Sequence, residues 1–155
     1  MNTYHLAQVN IARMLAPIDS EVMTDFVANL DRINQLAEKS DGFVWRLKDE
    51  NDNATSLQVF EDEFIIVNMS VWNSKKSLFE FTYNSAHLEV FKRKKEWFSK
   101  MRDMHMALWW VPIGVEPKAE DAKERLKYLN AKGETPFAFS FKSDFSAAEA
   151  EQYKP

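Results

Sequence analysis

The chain has 155 residues, a net charge of −4 and no cysteine. That length suits one domain able to bury a core without staples. The missing thiols exclude a disulfide framework, thiolate catalysis and cysteine-ligated metal, and they agree with a reducing cytoplasm, where we expect the protein to work. The acidic balance argues against nucleic acid as a partner. No apolar run approaches the roughly 20 residues that span a bilayer, and the N-terminus lacks the pattern of a signal peptide, so no membrane partner is expected.

Residues 4–14, YHLAQVNIARM, read as a strand. A helix follows, with Asp19 or Ser20 as cap and Val22, Phe26, Leu30, Ile33, Leu36 and Ala37 as its apolar stripe; Gly42 lies just past its end. FVWRL (43–47) is a short strand, KDENDNATS (48–56) a polar turn, and SLQVF (56–60) a candidate edge strand. FIIVNMSVW (64–72) is the strongest strand signal. Residues 74–102 read as helix, with a break suggested near Asn84–Ser85. HMALWWV (105–111) is a further strand ended by Pro112. A charged helix over 116–133 carries the narrow stripe Ala119, Ala122, Leu126 and Leu129, and FAFSF (137–141) is a last short strand. The order β-α-β-(β)-β-α-β matches the ferredoxin-like split βαβ plan, an α+β fold with an antiparallel sheet. We expect one domain over residues 1–142 and a frayed tail over 143–155.

YNSAHLEVFKRKKEWF (83–98) is the stretch richest in chemistry. On a continuous helix at about 100° per residue, His87 falls at the centre of an apolar face with Val90, Phe91, Trp97, Phe98 and Met101. Tyr83 and Lys94 share its line. The cations Lys92, Arg93, Lys94 and Lys95 spread around the circumference, which favours a solvated face over a nucleic-acid patch. Polar side chains on an apolar stripe must be hydrogen-bonded, face a cavity or snorkel. His87 is therefore either a satisfied structural histidine or a ligand-facing one. In the first turn of a new helix capped by Asn84 or Ser85, its ring would be held neutral, able to take a proton or bind a metal.

The strands add a second signal. Ala7, Val9 and Ile11 of the first strand, and Ile65, Val67, Met69 and Val71 of the third, make aliphatic faces. The opposite faces mix large apolar residues with Gln8, Asn10, Asn68 and Ser70 and could line a pocket. Parity alone leaves open which face the helices cover. His5, His87 and His105 lack metal-ligand spacing, no glycine-rich phosphate loop occurs, and Arg46 and Arg13 could each hold an anionic ligand.

HLAQVNIARM, GFVWRL, NMSVW, SAHLEVFKRKKEWF and LWWVP, in that order over residues 4–142, resemble a bacterial family catalogued as domain of unknown function 3291. The resemblance implies a dimeric α+β barrel, in which two ferredoxin-like sheets pack face to face in a homodimer. Relatives in that superfamily include cofactor-independent, antibiotic-biosynthesis-type monooxygenases and haem-degrading enzymes. The first kind implies an enzyme acting on a hydrophobic, aromatic small molecule, with His87 as base and Asn10 or Asn68 stabilising an enolate-like charge; Tyr83, Trp72 and Arg46 would bind substrate. The haem-degrading kind uses an asparagine on the first strand, a tryptophan near the end of the third and a histidine on the second long helix. Matched by element, those positions hold Asn10, Trp72 and His87, with His87 on iron. No cofactor is expected on the first reading and haem on the second. A non-enzymatic, ligand-binding dimer is the third reading.

Overall fold

The computed structural model describes residues 3–48, 54, 55 and 57–155. Strand β1 (Tyr4–Met14) is its centre. Helix α1 (Thr24–Lys39) leads to β2 (Phe43–Arg46), and β3 (Ile65–Trp72) follows. Two helices, α2 (Lys75–Asn84) and α3 (His87–Lys92), precede the short β4 (Phe98–Ser99) and β5 (Met106–Pro112). Helices α4 (Ala119–Lys132) and α5 (Ala147–Gln152) complete the chain. The strands are antiparallel, ordered β2-β3-β1-β5, with β4 extending the same edge of β1 beyond β5. This is the ferredoxin-like order that the sequence predicts.

Both sheet faces are buried within one chain. The aliphatic face, Ala7, Val9, Ile11, Val67, Met69, Val71, Ala107, Trp109 and Val111, packs against Ala122, Leu126 and Leu129 of α4. Ala122, Leu126 and Leu129 of the expected α4 stripe thus cover the sheet, while Ala119 is only half-buried. Arg125 reinforces that contact: its guanidinium lies 3.7 Å from the Phe137 ring centroid, and its Nη1 donates to the Phe137 carbonyl at 2.8 Å. Burial lowers the Arg125 pKa from its ordinary value, against the opposing pull of Glu124 and Asp121.

The mixed face is covered by α1, α2, α3 and the segment after α4, and its core is divided in two. One cluster holds Leu6, Trp72, Leu78, Leu108 and Phe139, with Phe43 and Phe81 against it. The other holds Met14, Met23 and Trp97, with Phe26, Ile66 and Val90 against it. Polar residues lie between them. Helix α1 covers this face thinly: Ala37 alone of its described residues is fully buried, while Phe26, Leu30, Ile33 and Leu36 are half-exposed.

Several expectations need correction. The 74–102 helix is interrupted at Ser85 and ends in a 3-10 turn at Lys94–Glu96, so Trp97 and Phe98 leave the wheel and enter the second cluster. The first break has a local cause. The Ser85 hydroxyl donates back to the Phe81 carbonyl and accepts the His87 backbone N–H at 3.1 Å, offering the chain an alternative to the helical ladder. Helix α1 starts only at Thr24 after a 3-10 turn at Glu21–Met23, because Ser20 makes no side-chain cap; Met23 is buried and Val22 exposed. Residues 57–60 form no strand, and Ser56 and residues 49–53 lie outside the described residues. The 137–141 strand reduces to two isolated bridges, Phe139 with Leu108 and Ala138 with Thr135. The tail contains a helix: Ser146 and Glu149 form a reciprocal capping box for α5, and the Tyr153 and Tyr128 hydroxyls lie 2.6 Å apart.

Candidate functional site

The strand register places polar residues in two adjacent rows across the mixed face. Arg46, Ser70, Gln8 and Leu108 are successive partners across β2, β3, β1 and β5. Asn68, Asn10 and Met106 make the next row. Gln8, Arg46 and Ser70 are 5%, 6% and 7% exposed, and Ser140 is the remaining buried polar residue among those described. Burying polar groups is unfavourable unless they are bonded, so their concentration on one sheet face needs a reason.

The bonds are well defined. The Trp72 indole N–H donates to Ser70 Oγ at 2.8 Å. Gln8 Nε2 donates to Ser70 Oγ at 2.7 Å and to Asn68 Oδ1 at 2.8 Å. Asn10 Nδ2 donates to Gln8 Oε1 at 3.1 Å and to Asn68 Oδ1 at 3.3 Å. Asn10 and Asn68 are exposed, so the network is buried at Ser70 and opens to solvent at the asparagines. Arg46 turns toward α1, with Nε 3.6 Å from Glu38 Oε2.

Of the residues expected at the site, Asn10, Asn68 and Trp72 are joined in one network, and Arg46 borders it. Gln8 and Ser70, which the sequence offered only as pocket-lining residues, are its hub. Trp72 is fully buried and stacked under Phe81, with centroids 5.2 Å apart, so it supports the site from below and does not face a ligand. Tyr83 packs in an aromatic group with Phe79, Phe91 and Phe141, at 4.7, 6.3 and 5.9 Å, and Phe91, with Lys94 over it, also lies 6.2 Å from the His87 ring, so the three residues of the expected line meet through Phe91. Of the other cations, Arg93 bonds Asp25 and Glu96.

His87 opens α3 beside the break. Its Nδ1 lies 3.1 Å from the carbonyl of Thr82, one of the acceptors that the interrupted helix leaves without a backbone donor. Nδ1–H donation there leaves the Nε2 lone pair free for other work. Burial lowers its pKa; the Thr82 bond opposes this and does not overcome it, so the ring is neutral near pH 7. Phe81, 5.1 Å away, belongs to the first core cluster, and Val90, one turn along, to the second. The His87 ring is thus framed by Phe81 and by Phe91, whose centroid lies 6.2 Å away.

Haem does not fit the three element-matched residues. The Phe81 ring fills the interval between Trp72 and His87, touching both, so they frame no flat slot. Among the described residues, no cluster of three metal-ligating side chains occurs. A concavity of about 380 Å³, lined by Leu47, Leu57, Val59, Ala119 and Lys123, lies by the N-terminus of α4 and includes none of the expected residues.

Fold and site together define a ferredoxin-like α+β domain with a polar island in one sheet face. The chain belongs to the family described as "Domain of unknown function (DUF3291)", whose model matches residues 5–155. No curated protein matches it. Among solved structures it is similar to PA3566 from Pseudomonas aeruginosa (13% identity, 74% of this chain and 98% of that one, TM-score 0.47). It is similar also to a protein from Nitrosomonas europaea described as "Putative antibiotic biosynthesis monooxygenase" (11%, 76% and 97%, 0.46), and to Rv0793 from Mycobacterium tuberculosis (15%, 76% and 100%, 0.45). Among the described residues, no helix is long and apolar enough to cross a membrane.

Proposed function

We propose that the protein is a monooxygenase-like enzyme acting on a hydrophobic, aromatic small molecule, bound over the Gln8–Asn10–Asn68–Ser70 island between the sheet and helices α1 to α3. The observation that carries this reading is the island itself. Three of the four buried polar residues among those described form one row across adjacent strands, between two apolar clusters. A pocket with apolar walls and a few convergent polar groups is the usual form of a small-molecule site.

The chemistry needs a proton acceptor and a place for negative charge. His87 Nε2, on a ring kept neutral by burial, takes the phenolic proton of the substrate. The Asn68 side-chain NH₂, the amide donor that the island's own bonds leave free, holds the resulting oxyanion. Dioxygen then adds to the activated ring carbon. One oxygen atom stays on the ring as the carbonyl of a quinone, and the other leaves as water. The phenol carbon framework supplies the two electrons beyond those of the new C–O bond, so no external reductant enters.

The test is oxygen consumption with planar phenols and naphthols. One dioxygen should be used per quinone formed, and Asn68→Ala should lower the rate about 100-fold. Absence of oxygen uptake across such a series would sink the enzymatic reading and leave a binding protein.

A further inference from the structure

The island's hydrogen bonds restrict what it can recognise. Gln8 contributes one amide nitrogen and one amide oxygen, and each engages an asparagine: Nε2 gives to Asn68 Oδ1, and Oε1 takes from Asn10 Nδ2. Asn10 Nδ2 also gives its second hydrogen to Asn68 Oδ1. What remains toward solvent is the Asn10 carbonyl oxygen, an acceptor, and the Asn68 NH₂, a donor. Amide oxygen and nitrogen can be exchanged by turning the groups over. Turning all three amides together also satisfies every bond; Asn68 then offers its oxygen and Asn10 its nitrogen. Turning one asparagine alone sets oxygen against oxygen or nitrogen against nitrogen at Gln8. In either consistent arrangement the two asparagines, direct partners in the β1–β3 register and both exposed, present opposite groups side by side.

We infer that the pocket recognises a planar ligand edge carrying a hydrogen-bond donor beside an acceptor, as in a lactam or a hydroxy-carbonyl compound, and discriminates against edges bearing acceptors alone. Gln8 is the positioning residue that enforces this, and it touches no ligand. The inference rests on the pocket reading above and sharpens it to a substrate class. Recognition of this kind is selective because a mismatched edge leaves a polar group facing its own kind.

The test uses two bicyclic probes of one shape. 2-Quinolone has a donor N–H beside its carbonyl; coumarin has a ring oxygen in place of the N–H. Binding is followed by NMR on the side-chain amide signals of Asn10 and Asn68 in the full chain. 2-Quinolone should bind about tenfold more tightly than coumarin, the worth of one net hydrogen bond. In Asn68→Asp, the new carboxylate still accepts from Gln8 and Asn10 but offers no donor. That variant should favour protonated 2-aminoquinoline, whose edge is all donors, over 2-quinolone, reversing their order in the unsubstituted protein. Equal binding of the two probes at the asparagines would overturn the inference while leaving the pocket standing. An unchanged ranking in a folded Asn68→Asp protein would also overturn it. If neither probe moves those signals at millimolar concentration, the pocket falls and the inference with it. The comparison on the unsubstituted protein needs no variant, so misfolding of Asn68→Asp would not remove the test.

Discussion

The two faces of the sheet are built from the same strands and do different work. On the aliphatic face every described inward position of β1 from Ala7 to Ile11 is apolar, and one helix, α4, covers it with a narrow stripe. On the mixed face several elements share the cover, the apolar core is split in two, and the gap holds a hydrogen-bonded island. The difference teaches which face stabilises and which selects. Apolar burial is non-directional and scales with area, so it serves stability. A polar network costs desolvation and returns geometry, so it serves recognition.

The largest expected effect breaks the aliphatic face. Trp109 is fully buried there, with the Arg125 guanidinium over its ring at 5.8 Å. Trp109→Ala should cost about 3–5 kcal/mol in chemical denaturation, through lost burial and the cavity left behind. The amide signals of Asn10 and Asn68 should be unchanged under native conditions. A shift of those signals would mean that the faces are coupled.

Next comes the island. Gln8→Leu removes the hub while keeping approximate volume. Ser70 still accepts from Trp72, and the exposed asparagines turn to water, so the cost in stability should be about 1–2 kcal/mol. Ligand discrimination should weaken, because the 3.3 Å Asn10–Asn68 bond alone then orients the asparagines. Undiminished discrimination would show that something other than Gln8 orients them.

A comparable or smaller loss is expected at Gly42, which joins α1 to β2 with a φ of 85° and accepts from the Asn73 N–H at 2.7 Å. A Cβ there would lie inside van der Waals distance of the Ser77 and Asn73 side chains. Gly42→Ala should cost about 1–2 kcal/mol, through the left-handed backbone and the clash with Ser77 Cβ, which α2 holds in place. Equilibrium unfolding measures it, and an unchanged midpoint would mean that the turn relaxes.

Much of the fold was legible because strand periodicity is strict. The parity of β1 and β3 sorted Ala7, Val9 and Ile11 from Gln8 and Asn10 without error, and the stripe of α4 held at Ala122, Leu126 and Leu129, while Ala119 is only half-buried. Parity could not say which helices cover which face, since that depends on connections beyond the strand. The helix wheel failed after Ser85 because it assumed one rigid axis. The interruption comes from side-chain bonds of Ser85 and His87, with no proline or glycine to mark it. Within the site, the asparagines were visible as polar residues on a large apolar face. The centrality of Gln8 emerged only from the register that sets it against Ser70.

The smallest effect concerns His87 and has a definite sign. Its folded pKa is depressed by burial, so the unfolded chain binds the proton more readily. The stability contributed by the neutral ring is therefore complete above the unfolded value of about 6.5 and is lost as pH falls through the folded pKa. His87→Asn separates this from the Thr82 bond. An asparagine amide can donate to that carbonyl in place of Nδ1–H and does not titrate in this range. Melting temperatures measured from pH 7.5 to 4.5 should fall further for the unsubstituted protein than for His87→Asn. Parallel curves would mean that the ring charges without cost. His87 would then be solvent-accessible at Nε2 in the folded state, and the case for a neutral base poised over the island would fail with it.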